Sequence, residues 1–196
     1  MTTLLDQKLD RAFGHIDVNG NGYIDHDDIV ALVARLIAGF RESPSSAKGK
    51  AVAAGFDGFW KAVRDAIDTD GDGRITPQEW NAGMVEAFVE PENGFDRHLR
   101  PAVEAVMRLA DTDGDGRVGL PEFAMLQKAF GTKPNGTMAA FARLDADRDG
   151  AISVPELIEA ARHFYTGPGG SAGDWLFGPL SEGSAAAPGS GRETVG

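Results

Sequence analysis

The segment DTDGDGRITPQE, residues 68–79, sets three aspartates at alternate positions, a glycine directly after the third, and a glutamate at its end. Its first seven residues recur letter for letter at 111–117, within DTDGDGRVGLPE, 111–122. Two more segments repeat the pattern: DADRDGAISVPE at 145–156 and DVNGNGYIDHDD at 17–28. Aspartate and glycine are ordinary turn residues, so one such segment reads as a solvated turn. Four do not, because crowding like charges is costly. Two carboxylates about 4 Å apart repel by about 4 kcal/mol at an effective dielectric of 20. A turn also gives no reason for an acidic residue at a fixed distance after each cluster.

A divalent cation removes that cost. Three segments fit in full the twelve-residue pattern D-x-[DN]-x-[DN]-G-x₅-E, which wraps calcium in oxygen ligands, and the segment 17–28 departs from it at its last residue. Calcium takes 6–8 oxygens at roughly 2.3–2.6 Å. Positions 1, 3 and 5 supply side-chain oxygens. These are Asp68, Asp70 and Asp72; Asp111, Asp113 and Asp115; Asp145, Asp147 and Asp149; and, in the first segment, Asp17, Asn19 and Asn21. The glycine at position 6 makes the sharp turn. Position 7 offers its backbone carbonyl, so its side chain varies: Tyr23, Arg74, Arg117 and Ala151. Position 12 brings a bidentate carboxylate from the next helix: Glu79, Glu122 and Glu156. The first loop ends in Asp28 instead. One methylene shorter, Asp28 is expected to ligate through one oxygen, weakening calcium or tilting the site toward six-coordinate Mg²⁺. Three to four Ca²⁺ are expected, with Mg²⁺ most at home in the first loop.

Two further columns fit. Position 8 is apolar throughout (Ile24, Ile75, Val118, Ile152), as loops paired through a short two-stranded ladder require. Position 9 holds Asp25, Thr76, Gly119 and Ser153, and Gly119, having no side chain, would need a water to reach the ion. Thr76-Pro77-Gln78-Glu79 also reads as a capping box with proline in the first turn. Capping and ligation coexist at this glutamate.

Amphipathic helices are predicted on both sides of every loop. Leu5, Leu9, Phe13 and Ile16 precede the first, and IVALVARLIAGF, 29–40, follows it. Phe56, Phe59, Trp60, Val63 and Ile67 precede the second; Trp80, Met84, Val85, Phe88 and Val89 follow it. Leu99, Val103, Val106, Met107 and Ala110 precede the third; Phe123, Leu126, Ala129 and Phe130 follow it. Met138, Phe141 and Leu144 precede the fourth; Leu157, Ala161 and Phe164 follow it. These stripes read as one shared core. The fold class is therefore all-α: four helix–loop–helix units in two pairs forming one compact globule, with short β-ladders between paired loops. The first pair spans 1–90 and is stretched by FRESPSSAKGK, 40–50. The second spans 91–166, joined through PENG, 91–94, which is too short and broken for a long exposed central helix. Segment 167–180 carries Trp175, Leu176 and Phe177 and is expected to dock on the core; 181–196 has the composition of a disordered end.

Composition narrows the function. With 196 residues, 42% hydrophobic and 25% charged, the chain has the make-up of a soluble globular protein. A net charge of −11 argues against nucleic-acid binding, and no polybasic membrane patch occurs. The absence of cysteine excludes disulfides, zinc–thiolate sites and cysteine nucleophiles. MTTLLDQKLDRAFGHID, 1–17, lacks the apolar core of a secretory signal, so a cytoplasmic monomer is expected. The four histidines (His15, His26, His98, His163) have no motif neighbours and are expected at the surface; no catalysis is expected.

The chain resembles the EF-hand proteins on its four loops. The stretched first pair, the compact link and the GDWLFG ending at 173–178 resemble the sarcoplasmic calcium-binding proteins, and especially the bacterial calerythrin type. That resemblance covers residues 1–180. It implies a compact, mostly helical calcium buffer or transporter rather than a switch; separately, the charge that bound calcium would relieve makes folding expected to be coupled to metal. Members often have one degenerate hand, whereas here every hand keeps most ligands. Photoproteins and luciferin-binding proteins share the plan, but their pockets need inward polar His, Tyr and Trp, and this chain has two tyrosines, Tyr23 in a loop and Tyr165. The alternative to a buffer is a sensor that exposes an apolar groove on binding calcium. Sensors use Met-rich grooves, and the methionines here are few and scattered.

Overall fold

The computed structural model describes residues 3–88, 94–132 and 136–166. Val89, Pro91 to Asn93 of the link, and the stretch 167–196 with Trp175, Leu176 and Phe177 lie outside the described residues.

The first half contains α1 (Leu4–Ile16), α2 (His26–Gly39), α3 (Ala47–Ile67) and α4 (Pro77–Phe88). Their starts follow local chemistry. The Thr3 hydroxyl accepts from the Asp6 amide at 3.1 Å and the Asp6 carboxylate accepts from the Thr3 amide at 2.7 Å, a reciprocal cap for α1. The Asp25 carboxylate caps α2, and Ser46 Oγ caps α3 by accepting from the Gly49 amide at 2.9 Å. The second half contains α5 (Gly94–His98), α6 (Arg100–Ala110), β1 (Arg117–Gly119), α7 (Leu120–Ala129), α8 (Thr137–Leu144), β2 (Ala151–Ser153) and α9 (Val154–Thr166).

The loops pair as the position 8 column requires. Strands β1 and β2 run antiparallel with Val118 opposite Ile152. Loops 1 and 2 meet through a single bridge, Ile24 with Ile75, whose backbones exchange hydrogen bonds of 2.9 and 2.8 Å. All four position 8 side chains are buried. The architecture is the all-α, four-hand arrangement with short β-ladders, the first ladder reduced to one residue pair.

Both pairs feed one core. Helix α3 lies against α6, α2 against α7, and α1 against α9. Trp80 is fully buried; its Nε1 donates to the Leu9 carbonyl at 3.1 Å and its ring meets Phe13 edge-on. A buried indole N–H needs such a partner. Gly55 lets α3 and α6 approach: a Cβ there would sit 3.0 Å from Ala102 Cα and 3.2 Å from the Pro101 carbonyl oxygen. Both are backbone atoms, which cannot rotate away. Gly55→Val is expected to destabilise the fold by about 2 kcal/mol, lowering Tm by roughly 4–8 °C in calorimetry. An unchanged Tm would contradict this helix contact.

Several side chains depart from the sequence reading. Met138, placed in the stripe before loop 4, is 74% exposed. At 100° per residue it lies roughly 110° from the centre of the face formed by Ala140, Phe141 and Leu144. Val30, within the run after loop 1, is 53% exposed. A short helix, α5, precedes α6; Pro101 has no N–H to continue the ladder, and the chain bends there. Asp96 on α5 accepts from Arg100 Nε at 2.7 Å and from Arg162 Nη2 at 3.3 Å, tying α5 to α6 and α9. These contacts, Arg100 first, hold its carboxyl below the ordinary range. Lys8 is fully buried, its ammonium 5.9 Å from the Phe164 ring centre.

His15 is half-buried rather than at the surface. Its Nδ1 lies 2.9 Å from the Phe130 carbonyl oxygen, and it borders an apolar cavity of about 130 Å³ lined also by Phe56, Phe59, Phe123 and Tyr165. Burial pushes the Tyr165 phenol up. No described helix is long and apolar enough to cross a membrane.

Candidate metal centres

Each loop is organised around its first and last carboxylates. In loop 2, Asp68 Oδ1 accepts from the Gly71 amide at 2.8 Å and Oδ2 from the Gly73 amide at 3.1 Å. Asp70 and Asp72 each accept from the amide two residues on. Loop 3 repeats this: Asp111 accepts from Gly114 and Gly116 at 2.6 and 3.0 Å, and Asp113 and Asp115 from the amides of Asp115 and Arg117. In loop 4, Asp145 accepts from Asp149 and Gly150, both at 3.0 Å. In loop 1, Asp17 accepts from Gly20, Asn21 and Gly22, and the Asn19 and Asn21 amide oxygens play the parts of Asp70 and Asp72. The position 6 glycines all sit at positive φ, from 80° to 92°. A side chain there would be strained.

The position 12 carboxylate closes each loop on itself. Glu79 Oε1 accepts from the Thr69 amide and hydroxyl at 3.0 and 2.8 Å, while Oε2 accepts from the Thr76 amide and hydroxyl, both at 2.9 Å. Glu122 bridges Thr112 and the Gly119 amide in the same way. Glu156 bridges the Ala146 and Asp147 amides and Ser153. Asp28 makes the same clasp despite its shorter side chain: Oδ1 accepts from Val18 and Asn19 at 3.0 and 3.2 Å, Oδ2 from Asp25 at 3.2 Å. Asp28 is fully buried, unlike the three glutamates. The shorter acid thus reaches both ends of its loop.

Three acidic clusters gather within ion-binding range among the described residues. Asp68, Asp70 and Asp72; Asp111, Asp113 and Glu122; and Asp145, Asp147 and Glu156 each bring ligand oxygens within 4.8 Å of one another. Loop 1 has amides at two of these positions and so carries less charge. The donor set of the three clusters is all carboxylate oxygen, which suits a hard cation such as calcium.

Electrostatics agree. The Thr76 amide, followed by Thr69 and the Thr76 hydroxyl, draws the Glu79 carboxyl down to about 2. At Glu122 and Glu156 burial pushes upward, but the hydrogen bonds win and both lie below the ordinary range. Asp147 is pushed up, by burial and then by Glu156 and Asp145. A carboxyl depressed by folding stabilises the fold above its unfolded value, near 4.5 for Glu79, and that contribution is lost as pH falls through about 2. The metal-free protein is thus expected to lose melting temperature progressively below about pH 4.5. A flat melting temperature from about pH 6 to about 2.5 would contradict the clasp.

Some site features were invisible in sequence. The threonines at position 2, Thr69 and Thr112, donate their hydroxyls to the position 12 glutamates. The identical DTDGDGR copies hold the signal: the same threonine in both. The position 7 side chains also have partners. Arg74 lies over the Tyr23 ring at 4.5 Å, and Arg117 pairs with Asp149. Lys48, beyond the stretched segment of the first pair, donates to the backbone carbonyl of Asp111 at the start of loop 3.

Comparison with known proteins follows the same lines. Residues 61–127 match the family model described as an EF-hand domain pair, and residues 9–33 and 138–160 match the one described as EF hand. A calcium-binding protein of Streptomyces coelicolor is 31% identical, with a TM-score of 0.75 over 83% of this chain and 98% of that one. The chain belongs to the EF-hand family. The same four-hand fold appears in a sarcoplasmic calcium-binding protein from amphioxus, at 22% identity and a TM-score of 0.72 over 89% of this chain and 96% of that one. It appears also in the coelenterazine-binding protein from Renilla muelleri, at 22% identity and a TM-score of 0.64 over 91% and 99%. No curated protein sequence matches this EF-hand protein.

Proposed function

We propose that the protein is an intracellular calcium buffer whose folding is coupled to metal binding. In this reading the ions are held by side chains at positions 1, 3, 5 and 12 of each loop and by the carbonyls of Tyr23, Arg74, Arg117 and Ala151. The observation that carries it is a continuous apolar core beside loops 2, 3 and 4, whose carboxylate oxygens already converge. Among the described residues the exposed large apolar side chains are Leu4, Val30, Met125 and Met138, one each on α1, α2, α7 and α8. The charge balance agrees: four Ca²⁺ would set +8 against a net charge of −11. Loop 1, with less charge and a shorter terminal acid, is the site where Mg²⁺ competes best.

The second reading is a calcium sensor. What favours it is the Streptomyces coelicolor relative, which is described in connection with prokaryotic calcium-mediated regulation. A hydrophobic dye separates the two. Metal-free protein titrated with Ca²⁺ in Mg²⁺-containing buffer is expected to lose dye fluorescence as calcium closes a loosened core. A rise in fluorescence would mark an exposed groove and establish the sensor.

A further inference from the structure

The inner loops, 2 and 3, both carry arginine at position 7, yet the two arginines meet different partners. Arg74 lies over the ring of Tyr23, the position 7 residue of loop 1, and position 5 of loop 1 is the neutral Asn21. In the second pair the equivalent partner is Ala151, which offers no ring, and position 5 is Asp149. The ladder sets Arg117 opposite Ser153, so its side chain extends back along loop 4. There Arg117 Nη1 contacts Asp149 Oδ2. The other oxygen, Oδ1, accepts from the Ala151 amide at 3.0 Å. One oxygen of this candidate ligand is therefore committed to its own loop and the other to an arginine from the neighbouring loop.

We propose that Arg117 is a counter-ion built into loop 4, which the metal must displace, so that loop 4 fills at a higher calcium concentration than its own ligands would set. The proposal rests on the calcium reading above. An ion drawing on Asp149 competes with the guanidinium for the same carboxylate, and a cation held beside a dication repels it. The pair neutralises one of the crowded charges while loop 4 is empty and opposes binding once calcium arrives. Its size is that of one partly exposed ion pair, so removal strengthens loop 4 by about three- to fivefold.

The test is a calcium titration of the full, chelator-stripped chain by NMR. It follows the Gly116 and Gly150 amides, each of which donates to the position 1 carboxylate of its own loop at 3.0 Å. In Arg117→Ala, which keeps the backbone carbonyl, the Gly150 midpoint is expected at about three- to fivefold lower free calcium. The metal-free melting temperature should fall by a few degrees. Arg148→Gln removes the same charge from position 4 of loop 4 without touching the pair, and should shift Gly150 by less than half as much. An unchanged or higher Gly150 midpoint in Arg117→Ala, an undiminished metal-free melting temperature, or an equal shift in Arg148→Gln overturns the proposal. If neither amide responds to calcium in the unmodified protein, the calcium reading itself fails, which is a separate outcome.

Discussion

Glu122→Gln is expected to remove about one calcium ion per chain from the calorimetric stoichiometry. The substitution keeps the shape of the side chain and changes its chemistry in two ways. It deletes a negative charge, and it turns one acceptor oxygen into a donor. Glu122 accepts from the Thr112 amide and hydroxyl through one oxygen and from the Gly119 amide through the other. A glutamine can satisfy one side of this clasp, while its NH₂ faces donors on the other. Calcium loses a bidentate ligand at the same time. Losing one charge-assisted ligand costs about 3 kcal/mol, roughly a hundredfold in affinity. Glu79→Gln and Glu156→Gln are expected to act alike, because their carboxylates bridge positions 2 or 3 and 9 in the same manner. Unchanged stoichiometry in all three variants would sink the loop assignment.

Stripping calcium should have the larger effect on stability. Half of the thirty acidic residues stand at positions 1, 3, 5, 9 and 12 of the four loops. Without metal their repulsion acts directly on the ends of the helices that carry the core. A ligand present at a hundred times its Kd adds about 2.7 kcal/mol per site, so three such sites contribute about 8 kcal/mol. For a chain of this size that corresponds to roughly 15–30 °C in Tm. Calorimetry with excess calcium and with excess chelator is expected to differ by that amount. A difference under about 5 °C would show that the core stands without the metal. Trp80, buried between α1 and α4, makes the same transition visible by fluorescence.

The loops could be read from sequence because calcium fixes residue type at each position. A divalent ion demands oxygen at 1, 3, 5 and 12, a glycine at the turn, and an apolar residue where two loops join. Those demands act within twelve residues, so the register survives without knowledge of the fold. The pairing of the loops was legible for the same reason, through Ile24, Ile75, Val118 and Ile152. What could not be read depends on contacts between distant elements. Lys8 sits one residue from Leu9 on an amphipathic helix, and only the packing of α1 on α9 buries it. His15 was expected at the surface, and the chain after α7 supplies the carbonyl that holds it. Met138 satisfied a loose spacing rule but lies off the buried face of a two-turn helix. Asp28 was expected to ligate through one oxygen, and residue type alone did not reveal that both of its oxygens take part in the hydrogen-bonded clasp of the first loop. Arg117 occupies a position where the sequence rule concerns only the backbone carbonyl, so its side-chain partner was left open.

The most direct test of the account is to count the ions. Chelator-stripped protein reloaded with calcium and weighed by native mass spectrometry is expected to carry at least three Ca²⁺ per chain, and four if Asp28 completes the first loop. Two or fewer would contradict the assignment of the loops and, with it, the coupling of this fold to calcium.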